Sequence, residues 1–191
     1  MILAKSFYTR DDVLAISRDL LGKRLCTRIN GGLAKAIITE TEAYAGVDDR
    51  ASHAFGGRRT ARTEPMFAEG GVAYVYLCYG IHHLFNVVTN VEGTPDAVLI
   101  RAAIPAEGEK LMQRRRGKTK ADRTLMAGPG SVSQALGITT CLTGASLQSD
   151  RIWIEDGGVD PDSMTITTGT RVGVAYAGED AARPYRFILT L

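Results

Sequence analysis

Two apolar runs, residues 24–29 and 33–41, stand on either side of Asn30-Gly31-Gly32, and no other feature constrains the chain as much. Asn and Gly accept the positive φ that tight hairpin turns demand, so the pair reads as an antiparallel β-hairpin. Three further strand signals follow at 72–78, 84–91 and 97–103, each bounded by Gly, Pro or Asn, with turns at Tyr79-Gly80 and Glu92-Gly93-Thr94-Pro95. Short connections between such runs predict a largely antiparallel meander. Between hairpin and meander, residues 46–71 are polar and broken by Gly56-Gly57, Pro65 and Gly70-Gly71. A loop of that length inside a compact domain is usually functional or disordered, and a functional role is expected here.

Helical signals are fewer. Thr9 and Asp12 have capping-box spacing, and Val13, Ile16, Leu20 and Leu21 recur at helical period until Gly22, which predicts a first helix. Pro105 is expected to open a second, ending at Gln113. Gly128-Pro129-Gly130 leads into a third over 131–136, with Ser131 and Gln134 as its capping box and Gly137 as its stop. The last third predicts short strands near 151–154, 165–167, 172–176 and 186–191. The 191 residues, 45% hydrophobic, fit one core, whereas a split would leave each half a thin one. The expected architecture is therefore α+β: a single domain over 1–191, a curved, mostly antiparallel β-sheet with helices around it.

Composition removes several functions. Three scattered cysteines, Cys26, Cys78 and Cys141, argue against a disulfide framework and a zinc site. HExxH, Walker and GxGxxG patterns are missing, so metal hydrolysis, nucleotide hydrolysis and dinucleotide chemistry lack support, and neither metal nor cofactor is expected. The apolar start is too short for a signal peptide and no stretch suits a bilayer, so the expected location is cytoplasmic. The net charge of +2 hides a segregation: seven basic residues and one acid lie between Lys110 and Arg123, and Arg50, Arg58, Arg59 and Arg62 form a second group. Clustered cations suit a polyanion-binding face, although a solvated helix face followed by a mobile basic loop explains them equally.

Candidate chemistry sits on the strands. A period of two puts Glu40, Glu42 and Tyr44 on one face near the mouth of the long loop. Tyr74 and Tyr76 share a face of the next strand, while Tyr79 stands at a turn before Gly80, where a large ring would stay in solvent unless it inserts into something. Arg101 is a charge inside an apolar strand and needs a partner, with Glu40 or Glu42 the obvious choice. The Gly128-Pro129-Gly130-Ser131 helix start would offer unpaired N–H groups to a phosphate.

Taken together these segments resemble the alkyladenine (3-methyladenine) DNA glycosylases. The residues that carry the resemblance are Glu40-Thr41-Glu42-Ala43-Tyr44, His53 with Gly56-Gly57-Arg58, Met66-Phe67, Tyr74-Val75-Tyr76 with Tyr79-Gly80, Asn86, Leu99-Ile100-Arg101-Ala102, Gly128-Pro129-Gly130, and Arg171-Val172-Gly173-Val174 with Ala177-Gly178. They occur in family order across nearly the whole chain. The resemblance implies that Glu42 is a general base, with Arg101 and the main-chain carbonyl of Val174 helping to hold a water. It implies a base pocket of Tyr44, His53 and Tyr76 over Asn86 and Leu99, with Tyr79 filling the gap left by the flipped nucleotide and Met66 along the DNA beside it. Backbone contacts are expected from Arg58, Gly130, Ser131, Arg114, Arg115, Arg116, Lys118 and Lys120. The implied partner is double-stranded DNA carrying damaged purines, bound by a monomer. Two departures stand out: Ser131 where the family commonly has Lys, and Ile104 where many relatives have Glu. Two rival readings are a non-catalytic damaged-DNA-binding protein on the same fold and a metal-dependent nuclease using Glu40, Glu42, Asp48 and Asp49.

Overall fold

The computed structural model describes residues 1–157, 159, 163 and 165–190. Strand β1 (Arg24–Ile29) pairs with β2 (Gly32–Tyr44) from Arg24 opposite Ile37 to Ile29 opposite Gly32, closed by Asn30 and Gly31 at φ 52° and 75°. The hairpin expected from the sequence is there, and its second strand runs on through Glu40, Glu42 and Tyr44. Strands β3 (Ala73–Cys78), β4 (His82–Thr89) and β5 (Asp96–Glu107) form the meander, and β5 returns along β2. With β6 (Ile152–Glu155), β7 (Thr165–Gly169) and β8 (Arg186–Thr190) this makes an eight-stranded antiparallel sheet that does not close into a barrel. Leu191, the end of the last strand expected from the sequence, lies outside the described residues.

The long β2 organises the sheet. Along one edge it pairs first with β1 and then with β8, and along the other with β5. One face carries Ile38, Val75, Phe85, Val87, Val98 and Ile100, buried beneath helices α2 (Val13–Asp19) and α4 (Pro129–Leu136). The other face is covered by residues 46–71, which fold as short 3-10 turns and pack Ala54, Met66 and Phe67 against Tyr74, Val88 and Ala97. The predicted loop is thus a second layer with its own small core. No helix among the described residues is long and apolar enough to cross a membrane.

Several local expectations are corrected. The cap of α2 is Asp12, whose carboxylate accepts from the N–H groups of Leu14 and Ala15 at 2.9 Å, while Thr9 closes a separate short helix, α1 (Lys5–Tyr8). Pro105 opens no helix. It lies in β5 opposite Ala36, beside a register shift, where its missing N–H costs little, and α3 (Glu109–Arg116) begins only after left-handed Gly108. A side chain at Gly108 would meet the Leu33 carbonyl oxygen at 2.4 Å, so the close approach of the two backbones demands glycine there. Helix α4 starts at Pro129 with Gly128 as its cap residue, leaving Ser131 inside the helix without a capping bond. Residues 172–176 are not a strand. Gly173 has φ 75°, the N–H of Val172 points to a carboxylate rather than a ladder, and a 3-10 segment, Ala175–Ala182, follows.

Candidate active site

The site is built on one row of side chains crossing five strands. Tyr74 on β3 pairs with Asn86 on β4, Asn86 with Leu99 on β5, Leu99 with Glu42 on β2, and Glu42 with Arg186 on β8. Residues paired across an antiparallel sheet project to the same face about 5 Å apart, so this register alone gathers residues spread over 112 positions of sequence. Two residues further along β2 and β5, Tyr44 lies opposite Ala97.

Arg101 reaches the row through a distortion. Pairing steps from Ile38 opposite Ala103 to Glu40 opposite Ala102, and then to Thr41 opposite Ile100, which leaves Thr39 and Arg101 as extra residues on their strands. Such bulges re-aim side chains. The Arg101 Nε donates to Glu40 Oε1 at 2.9 Å and lies 3.4 Å from Glu42 Oε1, while Arg186 Nε reaches the same Glu40 oxygen at 2.6 Å. Glu40 therefore anchors both guanidinium groups, and Arg101 bridges the two carboxylates.

Glu42 is fully buried. One oxygen accepts the N–H of Val172 at 2.7 Å and the other the hydroxyl of Tyr44 at 2.9 Å. Burial raises its pKa above the ordinary glutamate value, against the Arg101 charge and these two hydrogen bonds, which favour the anion. The Tyr44 phenol is pushed upward by burial and by the Glu42 charge, so it stays protonated and donates. Beneath it, Arg171 pairs in a bidentate manner with buried Asp49, donates to the carbonyls of Ala43 and Asp180, and stacks on the rings of Tyr44 and Tyr185 at 4.9 and 5.2 Å. This ion pair fastens the end of β2 to the 171–180 segment and so delivers the Val172 amide to Glu42. Sequence reasoning overlooked it, although Arg171 lay within a recognised motif.

An inner cavity of about 30 Å³ lies beside Glu42, walled by Tyr44, His53, Tyr74, Tyr76 and Tyr176, with Asn86 on its floor. His53 Nδ1 is 2.9 Å from the Tyr74 hydroxyl, and its ring meets Tyr76 edge-on at 4.6 Å. Burial, aided by Arg62 and Arg58, lowers the His53 pKa to about 4, so this wall is neutral at neutral pH. Asn86 is held by its amide to the carbonyls of Tyr74 and Leu84. Leu99 is buried in the row beside it. Outside His53 and Tyr176 lies a wider cleft of about 530 Å³ bearing Arg50, Arg58 and Arg62.

Tyr79 occupies the tip of the β3–β4 turn, 91% exposed and at φ 52°, followed by Gly80 at φ 73°. Two successive left-handed residues make a type I′ hairpin turn, which favours Asn-Gly, and a tyrosine there is strained. Met66 is placed differently from expectation: it is 2% exposed and lines the inner cavity, away from any DNA-facing surface. Val174 is buried and its carbonyl accepts from the Ala177 N–H at 2.9 Å, leaving one lone pair.

The basic run is partly committed to the fold. Arg114, Arg115 and Arg116 close α3 instead of following it. Arg115 donates to the carbonyls of Ala135 and Ile29, Arg116 to that of Leu125 and to the Gln134 side chain, and Lys118 to Asp122 and Thr124. These three are corrected from expected phosphate contacts to ties within the protein, whereas Arg114 and Lys120 are exposed. Arg114 borders a groove of about 990 Å³ shared with Ile81, His82 and Gly130. His82 covers Gly130 so closely that a Cβ there would sit 3.1 Å from its ring. Among the described residues no group of three or more His, Cys, Asp or Glu is arranged to hold a metal ion. The acids of the nuclease reading are dispersed instead, with Glu40 held by arginines and Asp49 by Arg171.

Known proteins similar to this chain are DNA glycosylases. The chain belongs to the methylpurine-DNA glycosylase family, whose model matches residues 6–190. A protein of Chlamydia felis described as a "putative 3-methyladenine DNA glycosylase" is 47% identical over 191 residues, covering 100% of this chain and 97% of that one. Proteins of the same description from Methanocella arvoryzae, 45% identical over 97% of this chain and 91% of theirs, and Desulfitobacterium hafniense, 42% identical over 98% and 94%, are similarly close.

Proposed function

We propose that the protein is a monofunctional glycosylase that flips alkylated or deaminated purines, such as 3-methyladenine, 7-methylguanine, hypoxanthine and ethenoadenine, out of duplex DNA and hydrolyses the N-glycosidic bond. The product is an abasic site for base excision repair, and the protein works as a cytoplasmic monomer on DNA. The observation that carries this reading is the buried Glu42 carboxylate, 3.4 Å from the Arg101 guanidinium and roofed by Tyr44 at the edge of an aromatic cavity.

A sugar carbon inside a duplex is out of reach, so the nucleotide is extruded at a cost of a few kcal/mol, less for a weakly paired lesion. Tyr79 fills the space it leaves. Alkylation at ring nitrogens makes a purine cationic, and the faces of Tyr44 and Tyr76, beside a neutral His53, favour that charge by roughly 0.5–2 kcal/mol. Neutral lesions forgo this gain and rely on their weak pairing. In the chemical step Glu42 accepts a proton from a water held with Arg101 and the Val174 carbonyl, the water oxygen bonds to C1′, and the base leaves with the glycosidic electron pair. The same carboxylate offsets the positive charge developing on the sugar. No lysine lines the inner cavity among the described residues, in keeping with hydrolysis without strand cleavage.

Release of those four bases from lesion-bearing duplexes tests the reading. Excision within twofold of control is expected in excess chelator, whereas its loss would point to a metal-dependent nuclease. Tyr79→Asn is expected to relax the strained turn and raise stability by about 1 kcal/mol, while weakening affinity for a lesion duplex roughly tenfold through loss of an inserted aromatic, worth about 1–3 kcal/mol. Unchanged lesion affinity in an equilibrium binding titration would remove Tyr79 from the flipping step.

A further inference from the structure

The inner cavity of about 30 Å³ has room for roughly a water molecule, whereas pockets that enclose organic ligands run to about 300–1,000 Å³. A purine can therefore enter only if a wall yields. Most walls are tied. Tyr74, Met66 and Asn86 are buried, Tyr44 is bonded to Glu42 and stacked on Arg171, and His53 is bonded to Tyr74 and packed on Tyr76. Tyr176 differs in every respect. It is 70% exposed, its one hydrogen bond runs from the hydroxyl to the Ala51 carbonyl at 3.0 Å, and it separates the inner cavity from the outer arginine-lined cleft. Its segment also contains a joint, because Gly178, at φ 60° and ψ −127°, breaks the helical path two residues on, and left-handed Gly173 precedes it.

From this geometry we propose that Tyr176 is the movable wall of the base pocket: it swings to admit the extruded base and, closing on it, sets the size of base accepted. The inference rests on the glycosylase reading and deepens it. Swinging the ring outward breaks one hydrogen bond and uncovers little apolar surface, since most of the ring already meets solvent. Removing only the hydroxyl leaves the wall in place but unlatched, and removing the ring leaves the pocket permanently open on that side.

The test titrates free ethenoadenine and free 3-methyladenine against the wild-type protein, Tyr176→Phe and Tyr176→Ala, with melting temperatures as a check that the exposed position tolerates change. The phenylalanine variant is expected to bind both bases several-fold more tightly, because a larger fraction is open before binding. The alanine variant is expected to shift the ratio of the two affinities about tenfold toward the bulkier ethenoadenine. Affinities within twofold of wild type for both bases in both variants, or no binding of either base to Tyr176→Ala, would overturn the proposal. Excision from duplexes is measured beside it. A wild-type protein that releases neither base while the free-base affinities still shift would defeat the glycosylase reading and leave the movable wall standing, and excision with unshifted affinities would do the reverse.

Discussion

Glu42→Gln is expected to lower the rate of base excision by about 10²–10⁴-fold, the range supplied by a positioned general base, with lesion binding nearly unchanged. The substitution is conservative in shape: the amide oxygen can take the Val172 N–H, and the amide nitrogen can donate to the Tyr44 hydroxyl, which rotates to accept. A melting temperature close to wild type is therefore expected together with single-turnover excision near background. The pH profile of the wild-type protein should agree. The base acts as the anion, and burial raises the Glu42 pKa, so activity should fall on the acid side at a higher pH than an ordinary glutamate would give. Excision by the Gln protein at more than a tenth of the wild-type rate would mean that another group activates the water.

The largest expected effect on stability is at Asp49. Its carboxylate and the Arg171 side chain are both fully buried, and removing one partner of such a pair strands the other charge, at a cost of about 3–5 kcal/mol. Asp49→Ala should therefore lower the melting temperature by on the order of 10 °C in a chain of this size. Adding Arg171→Met should recover part of that loss, because no uncompensated charge is left. Denaturant unfolding of the two proteins decides the matter, and a double variant less stable than the single one would show that Arg171 stabilises through its carbonyl and ring contacts instead. The recovered protein should still excise poorly, since the Val172 amide would no longer be held against Glu42.

What could be read from the sequence was whatever is periodic or chemically conspicuous. Alternation places Glu40, Glu42 and Tyr44 on one face without reference to the rest of the chain, and a charge within Val98-Leu99-Ile100-Arg101 announces that it needs a partner. Which carboxylate it meets was hidden, because two bulges shift the pairing and bulges leave no periodic trace. The Val172 N–H was equally hidden, since a backbone donor carries no residue identity and its acceptor lies 130 positions away. Composition misled over the basic run: charges counted as available for phosphate include Arg115, Arg116 and Lys118, which are occupied by the protein's own carbonyls and side chains. Tyr176 drew no notice because nothing in its immediate neighbours distinguishes it from a surface tyrosine.

The paired bulges at Thr39 and Arg101 also determine what kind of genetic change the site can survive. Exchanging one side chain for another along β2 or β5 leaves neighbouring residues facing as before. Losing or gaining a single codon between Thr39 and Glu42 would instead invert the strand beyond it, driving acids toward the interior beneath α2 and turning Thr41 and Ala43 toward the cavity. Divergence in these two strands should thus proceed by replacement at constant length, with insertions and deletions confined to the turns that join them.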